Sequence, residues 1–288
     1  MNVTKILCPI DFSPGSQQAM QVAIRIAKET SAELVLLHSW VIPPLAFSME
    51  LPFPPDVVDG IVKDAESGLD AALREAKAAG ANNTTSVLTN GVPWSEIVTT
   101  LEKQAFDLCV IGTHGRTGLS RVLLGSVAEK VVRHSPCSVL AVRPDSPVPA
   151  FQHVLVPTDF SESATYALDL AGTIVRPEGQ ITLLHVLELP VAYAGKIESD
   201  FARDLDKRAM AALEASARRI TTARVTTVSR IGYPGSQTLS AIDHDPSVDL
   251  VVMGSHGRTG IKRLLLGSVA EKVVRHARCP VLIARKRA

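Results

Sequence analysis

The sequence lacks an excess of charge of either sign: 30 Lys and Arg stand against 29 Asp and Glu, a formal net charge of +1. Without a basic surplus there is no electrostatic footprint for DNA or RNA. No apolar run approaches the roughly 18–20 residues of a membrane helix. The opening MNVTKILCPID carries a lysine at position 5 and an aspartate at position 11, which leaves no room for the apolar core of a signal peptide. Cysteine is scarce: Cys8, Cys109, Cys137 and Cys279 each stand alone in or beside an apolar run, and none forms CxxC. They read as core thiols in a reducing cytoplasm, without metal or redox spacing. Two nucleotide signatures are also missing. No lysine follows Gly125 or Gly267 as a P-loop requires, and no G-x-G-x-x-G follows the first apolar run. The expectation is a cytoplasmic chain with no membrane, nucleic-acid or metal partner.

What the sequence has is a glycine-rich segment that occurs twice. Residues 111–134 read IGTHGRTGLSRVLLGSVAEKVVRH and residues 253–276 read MGSHGRTGIKRLLLGSVAEKVVRH, identical at 19 of 24 positions. The rest of the chain is duplicated more loosely. CPIDFS at Cys8–Ser13 returns as PTDFS at Pro157–Ser161, LVLLHS at Leu34–Ser39 as ITLLHV at Ile181–Val186, and SVLAVR at Ser138–Arg143 as PVLIAR at Pro280–Arg285. At 288 residues the chain suits two domains, 1–144 and 151–288, joined by a proline-rich linker at 145–150.

Within each half, short apolar runs alternate with longer amphipathic stretches. The first half offers strands at Lys5–Ile10, Glu33–Ser39, Thr84–Thr89, Asp107–Gly112 and Ser138–Val142. Helical stretches fall between them at Ser16–Lys28, Asp56–Ala79, Trp94–Lys103 and Ser126–Arg133. The second half repeats the strands near 152–157, 180–186, 224–230, 249–254 and 280–284. Apolar runs with little polar alternation suit strands covered on both faces. The fold class is therefore α/β, two tandem doubly wound parallel five-stranded sheets.

Such sheets bind ligands at the carboxyl ends of their strands. That rule brings Asp11 or Asp159, Ser39 or Val186, and Gly112 or Gly254 to one crevice per half. The glycine segment, Gly-x2-Gly-x9-Gly-Ser, opens from the same edge as Gly112, Gly115, Gly125 and Ser126, and again as Gly254, Gly257, Gly267 and Ser268. Glycine there permits positive φ and a close approach of backbone to ligand. The final Gly-Ser opens a helix, whose unpaired N–H groups and dipole favour a phosphate. Each piece also has a purely structural explanation. Ser126 with Glu129, and Ser268 with Glu271, match a helix capping box. Asp11 and Asp159 could cap the helix that follows them rather than accept hydrogen bonds from ribose. His114 and His256 lie in the glycine loops, as do Arg116 and Arg258, and His38 or His185 ends the second strand; no carboxylate stands at a spacing that would make a dyad with a histidine.

The P-x-D-F-S start, the LLH strand, Gly-x2-Gly-x9-Gly-Ser and the closing strand together resemble the universal stress protein family. Both halves carry the pattern, so the likeness is to its tandem form and to members that bind ATP. The resemblance implies a Rossmann-like, adenine nucleotide alpha hydrolase-like fold, its halves related by a pseudo-two-fold axis. It also implies pairing of the last strands, Val139–Arg143 with Val281–Arg285. Asp11 and Asp159 would hold ribose. Gly115, Gly125, Ser126 and Val127 would hold phosphates, as would Gly257, Gly267, Ser268 and Val269. Ile10 with Ser39, and Thr158 with Val186, would flank adenine. ATP, with Mg2+ as a companion, is the implied cofactor, and a homodimer of tandem chains a further expectation. Trp40 and the apolar loop Val41–Asp56, a lid or partner surface, set the first half apart. The leading function is nucleotide-dependent regulation under stress. A slow ATPase or related nucleotide-dependent enzyme, and a ligand-free interaction module, are the alternatives.

Overall fold

The computed structural model describes residues 3–42, 55–113, 124–188, 200–257 and 266–286. The first half runs β1 (Lys5–Pro9), α1 (Pro14–Thr30), β2 (Glu33–Trp40), α2 (Pro55–Ala78), β3 (Thr84–Asn90), α3 (Pro93–Lys103), β4 (Leu108–Gly112), α4 (Ser126–His134) and β5 (Ser138–Val142). The second runs β6 (His153–Thr158), α5 (Glu162–Ile174), β7 (Gln180–Leu187), α6 (Asp200–Ala217), β8 (Arg224–Ile231), α7 (Pro234–His244), β9 (Leu250–Gly254), α8 (Ser268–His276) and β10 (Val281–Ala284). Every expected strand and helix is present, with ends shifted by a residue or two.

Local chemistry explains where the helices start. Ser13 and Ser161 are N-caps whose hydroxyls accept from Ser16 N and Ala164 N, so one orphan donor of each first turn is satisfied. Proline opens α3 and α7 at Pro93 and Pro234, where its missing N–H costs nothing. The strands read as unbroken apolar runs because both faces are covered. In β1, Ile6 and Cys8 face one core and Leu7 the other. Helices α1, α2, α5 and α6 contribute to the first of these cores, and α3, α4, α7 and α8 to the second.

The two five-stranded sheets do not stay separate. They join into one ten-stranded sheet of order β3-β2-β1-β4-β5-β10-β9-β6-β7-β8. All pairs are parallel except the central one, where β10 runs antiparallel to β5 with Leu282 opposite Leu140. Each core cluster contains residues of both halves. The seam is also polar at one end. Arg285 donates to the carbonyls of Ser135 (2.6 Å), Val132 (2.9 Å) and Arg133 (2.8 Å). A guanidinium from the second half thus takes up the orphan carbonyls that end α4 of the first.

Candidate functional site

The carboxyl ends of the strands open into two cavities, one per half. The first, of about 660 Å³, is lined by Ile10, Asp11, Ser39, Gly112, Gly125, Ser126 and Val127, together with Trp40. The second, of about 560 Å³, is lined by Thr158, Asp159, Val186, Gly254, His256, Gly257, Gly267, Ser268 and Val269. Sequence-predicted residues from three separate stretches therefore meet at each end. His114 and Gly115, with Arg116, Arg258 and most of the Val41–Asp56 loop, lie outside the described residues.

The glycines divide by what surrounds them. A Cβ on Gly112 would stand 2.6 Å from the backbone of Gly15, and one on Gly254 would stand 2.4 Å from Ser163 Oγ. These two let the first turns of α1 and α5 press against the ends of β4 and β9, so packing alone requires them. Gly257 faces the carboxylate: its Cβ would be 2.7 Å from Asp159 Oδ2. Gly267 is different. Its nearest neighbours among the described residues would be 3.5 Å away, and its φ is −63. Neither crowding nor dihedral demands glycine there. The expectation of positive φ fails for Gly125 too, at −60. Among the described residues the glycines with positive φ are Gly80, Gly91 and Gly232. Gly91 N donates to Trp40 O and Gly232 N to Leu187 O, steering the chain into Pro93 and Pro234 at the cavity walls. Both stand in the sequence as Gly-x-Pro, the signal that marks them.

The capping box is not what forms. Gly125 and Gly267 are the N-caps, without a side-chain cap bond, and Ser126 and Ser268 are the first helical residues. Glu129 and Glu271 then fall one position too late to reach back. They bond to Arg133 (3.2 Å) and Arg275 (3.0 Å) one turn on. Gly125 N donates to Thr113 O (2.7 Å) and Gly267 N to Ser255 O (2.8 Å), closing the base of each glycine loop. The first-turn amides of α4 and α8 are thus presented to the cavities with no side-chain acceptor among the described residues, a favourable seat for an anion.

The same cavities are lined by the carboxylates. Neither is an N-cap; each sits two residues before one. Asp11 Oδ1 accepts from Ser13 N (3.1 Å) and Ser13 Oγ (2.5 Å), and Asp159 Oδ1 accepts from Ser161 N (3.1 Å). Ser39 Oγ donates to Gly91 O (2.7 Å). His256 Nδ1 lies 2.9 Å from Ser255 Oγ. Among the described residues no group of three His, Cys, Asp or Glu side chains is disposed to hold a metal ion, and no helix is long and apolar enough to cross a membrane. The four cysteines are buried and form no disulfide. Desolvation pushes the Cys8 and Cys279 thiols up to about 12, so they stay protonated and inert.

Comparison with known proteins agrees with this architecture. The model of the Universal stress protein family matches twice, over residues 2–143 and 150–285. Universal stress protein Rv2623 of Mycobacterium tuberculosis is 29% identical over 289 residues, covering 98% of this chain and 96% of that one. Universal stress protein MJ0531 of Methanocaldococcus jannaschii is 38% identical over 144 residues, 48% of this chain and 81% of its own. A crystal structure of a universal stress protein from Archaeoglobus fulgidus shares the fold, with a TM-score of 0.74 at 24% identity, covering 99% of this chain and 98% of that one.

Proposed function

The chain belongs to the universal stress protein family, in tandem form, and from that premise we propose that each half binds an adenine nucleotide, ATP foremost, as a cytoplasmic regulator in the stress response. The observation that carries this reading is Gly267. The described fold neither strains nor crowds that position, yet Gly267 lines the second cavity at the N-terminus of α8. A glycine that folding does not need is explained by a ligand that needs the room.

The remaining assignments follow from placement. Gly125, Ser126 and Val127, and Gly267, Ser268 and Val269, would hold phosphates by backbone N–H groups and helix dipole. Gly257 lets Asp159 stand beside the glycine loop, so one carboxylate can take ribose hydroxyls while phosphates lie next to it. Asp11 is its counterpart. Ile10 with Ser39, and Thr158 with Val186, would flank the base. Cavities of about 660 and 560 Å³ fall within the range usual for small-molecule sites. A magnesium ion arriving with the triphosphate would take its ligands from phosphate and water, for which it is well suited.

The test is Gly267→Ala. A methyl group fits the described surroundings at 3.5 Å, so the melting temperature should stay within about 2 °C, while ATP affinity of the second half falls at least about tenfold, the order of a lost charge-assisted contact. An unchanged calorimetric titration in a folded variant would return the glycine motif to architecture.

A further inference from the structure

One backbone feature recurs at the same place in both halves and was not visible in the sequence. Phe12 and Phe160, the residues after the two aspartates, both adopt φ 63. A bulky residue in the left-handed region is strained and persists only where its surroundings hold it. The holding group is in each case a histidine at the end of the second strand. The Phe12 ring lies 4.5 Å from the His38 ring, tilted 35°, and Phe160 lies 4.5 Å from His185, tilted 39°.

The same imidazoles grip the other side of the aspartates. His38 Nδ1 donates to Ile10 O at 2.7 Å, and His185 Nδ1 donates to Thr158 O at 2.7 Å. Each histidine therefore binds the carbonyl before the aspartate and packs on the ring after it. His38 and His185 are 7% and 9% exposed, so their own freedom is small. Space for the Phe12 ring comes from α2, where a Cβ on Gly68 would stand 2.8 Å from it. The geometry clamps one backbone unit, carbonyl–Asp–Phe, from both ends.

We propose that His38 with Phe12, and His185 with Phe160, are positioning residues that aim the carboxylates of Asp11 and Asp159 at the ribose hydroxyls of the bound nucleotide. This rests on the assignment of those carboxylates to ribose. The surrounding side chains differ between halves, with Ile10 against Thr158 and Trp40 against Leu187, while the clamp is the same. A conformation that costs energy twice, held by the same device twice, is best explained by the residue it orients.

Calorimetry on the full chain with ATP and with 2′,3′-dideoxy-ATP separates the possibilities. The wild type should bind ATP at least about tenfold more tightly, as expected of hydrogen bonds to a carboxylate. His38→Leu/His185→Leu should bring that ratio to within about twofold while dideoxy-ATP binding changes little. His38→Asn/His185→Asn, whose amide nitrogen can replace Nδ1 as donor but which lacks the ring contact, should restore only part of the ratio. Phe12→Gly/Phe160→Gly, which accepts φ 63 without strain but loses the ring contact, should also lose the ratio and serves if the leucine variant does not fold. A wild-type ratio retained in the leucine or glycine variant overturns the positioning role. A wild type that binds both nucleotides equally overturns the ribose assignment beneath it.

Discussion

In the second half Thr158 Oγ1 accepts from Phe160 N at 3.0 Å. The first half has Ile10 at that place, and there Ser13 Oγ donates to Asp11 at 2.5 Å while Asp11 N donates to Ser16 Oγ at 3.3 Å. Both strained turns are braced from after the aspartate, by Ser13 N and Ser161 N, and the second is braced from before it as well, by Thr158. The amino-terminal edges differ likewise. Lys5 pairs with Glu33 at 3.3 Å and lies over the Phe106 ring. At the matching edge, His153 bonds to Ser247 (2.7 Å) and Thr182 (2.8 Å), with Asp245 at 3.6 Å. Backbone geometry around each cavity has been kept where its supports have drifted, which separates what the site needs from what merely delivers it.

The largest effect should come from the packing glycines. Gly254→Ala drives a Cβ to 2.4 Å from Ser163 Oγ and 2.9 Å from its backbone, and should cost about 2–3 kcal/mol in urea unfolding. Gly267→Ala, in the same motif, should cost almost none. Equal losses would erase the distinction between packing and ligand glycines.

Next in size is the seam. Arg285→Ala leaves three carbonyls at the end of α4 without their donor and should destabilise the chain by about 2 kcal/mol or more. A loss below about 0.5 kcal/mol would mean that water replaces the guanidinium without penalty.

The edges predict a pH difference. Burial lowers the His153 pKa from 6.5, against the opposing pull of Asp245 and Asp249. A histidine depressed in the folded state takes its proton later than the unfolded chain does. Stability is therefore lost as pH falls below about 6.5, and it levels only once the folded histidine also protonates. The melting temperature should drop less between pH 7.5 and 5.5 in His153→Gln than in the wild type, since Gln keeps hydrogen-bonding capacity without a charge. Parallel pH profiles would rule this out.

The smallest effects test the caps. Ser161→Ala removes a true N-cap and should cost about 1 kcal/mol. Ser268→Ala, at the first helical position, should stay within about 0.5 kcal/mol. A full cap penalty at Ser268 would reinstate the capping box.

Most of the architecture was legible because it is periodic. Apolar runs such as LVLLH and the Pro and Ser that open the helices locate themselves. The pairing of β5 with β10 followed from family likeness and not from any pattern in SVLAVR or PVLIAR. The glycine motif was legible as a unit and misread in detail. S-x-x-E looks the same whether the serine is the N-cap or the first helical residue, and only the hydrogen bonds tell them apart. Likewise, identity between two copies cannot say which glycine is crowded by a neighbouring backbone, as Gly112 is, and which has room for a methyl group among the described residues, as Gly267 has. The Phe–His clamp was hidden for a different reason. Its parts are 26 and 25 residues apart, at Phe12 to His38 and Phe160 to His185, and nothing local marks a phenylalanine for φ above zero.

The most direct measurement is the stoichiometry of ATP bound to the freshly purified full chain, by calorimetry and by the nucleotide released on denaturation. Two helix termini without a side-chain cap among the described residues, each lining a cavity together with a carboxylate, predict two adenine nucleotides per chain. A folded chain that neither carries nor binds any would contradict the account at its centre.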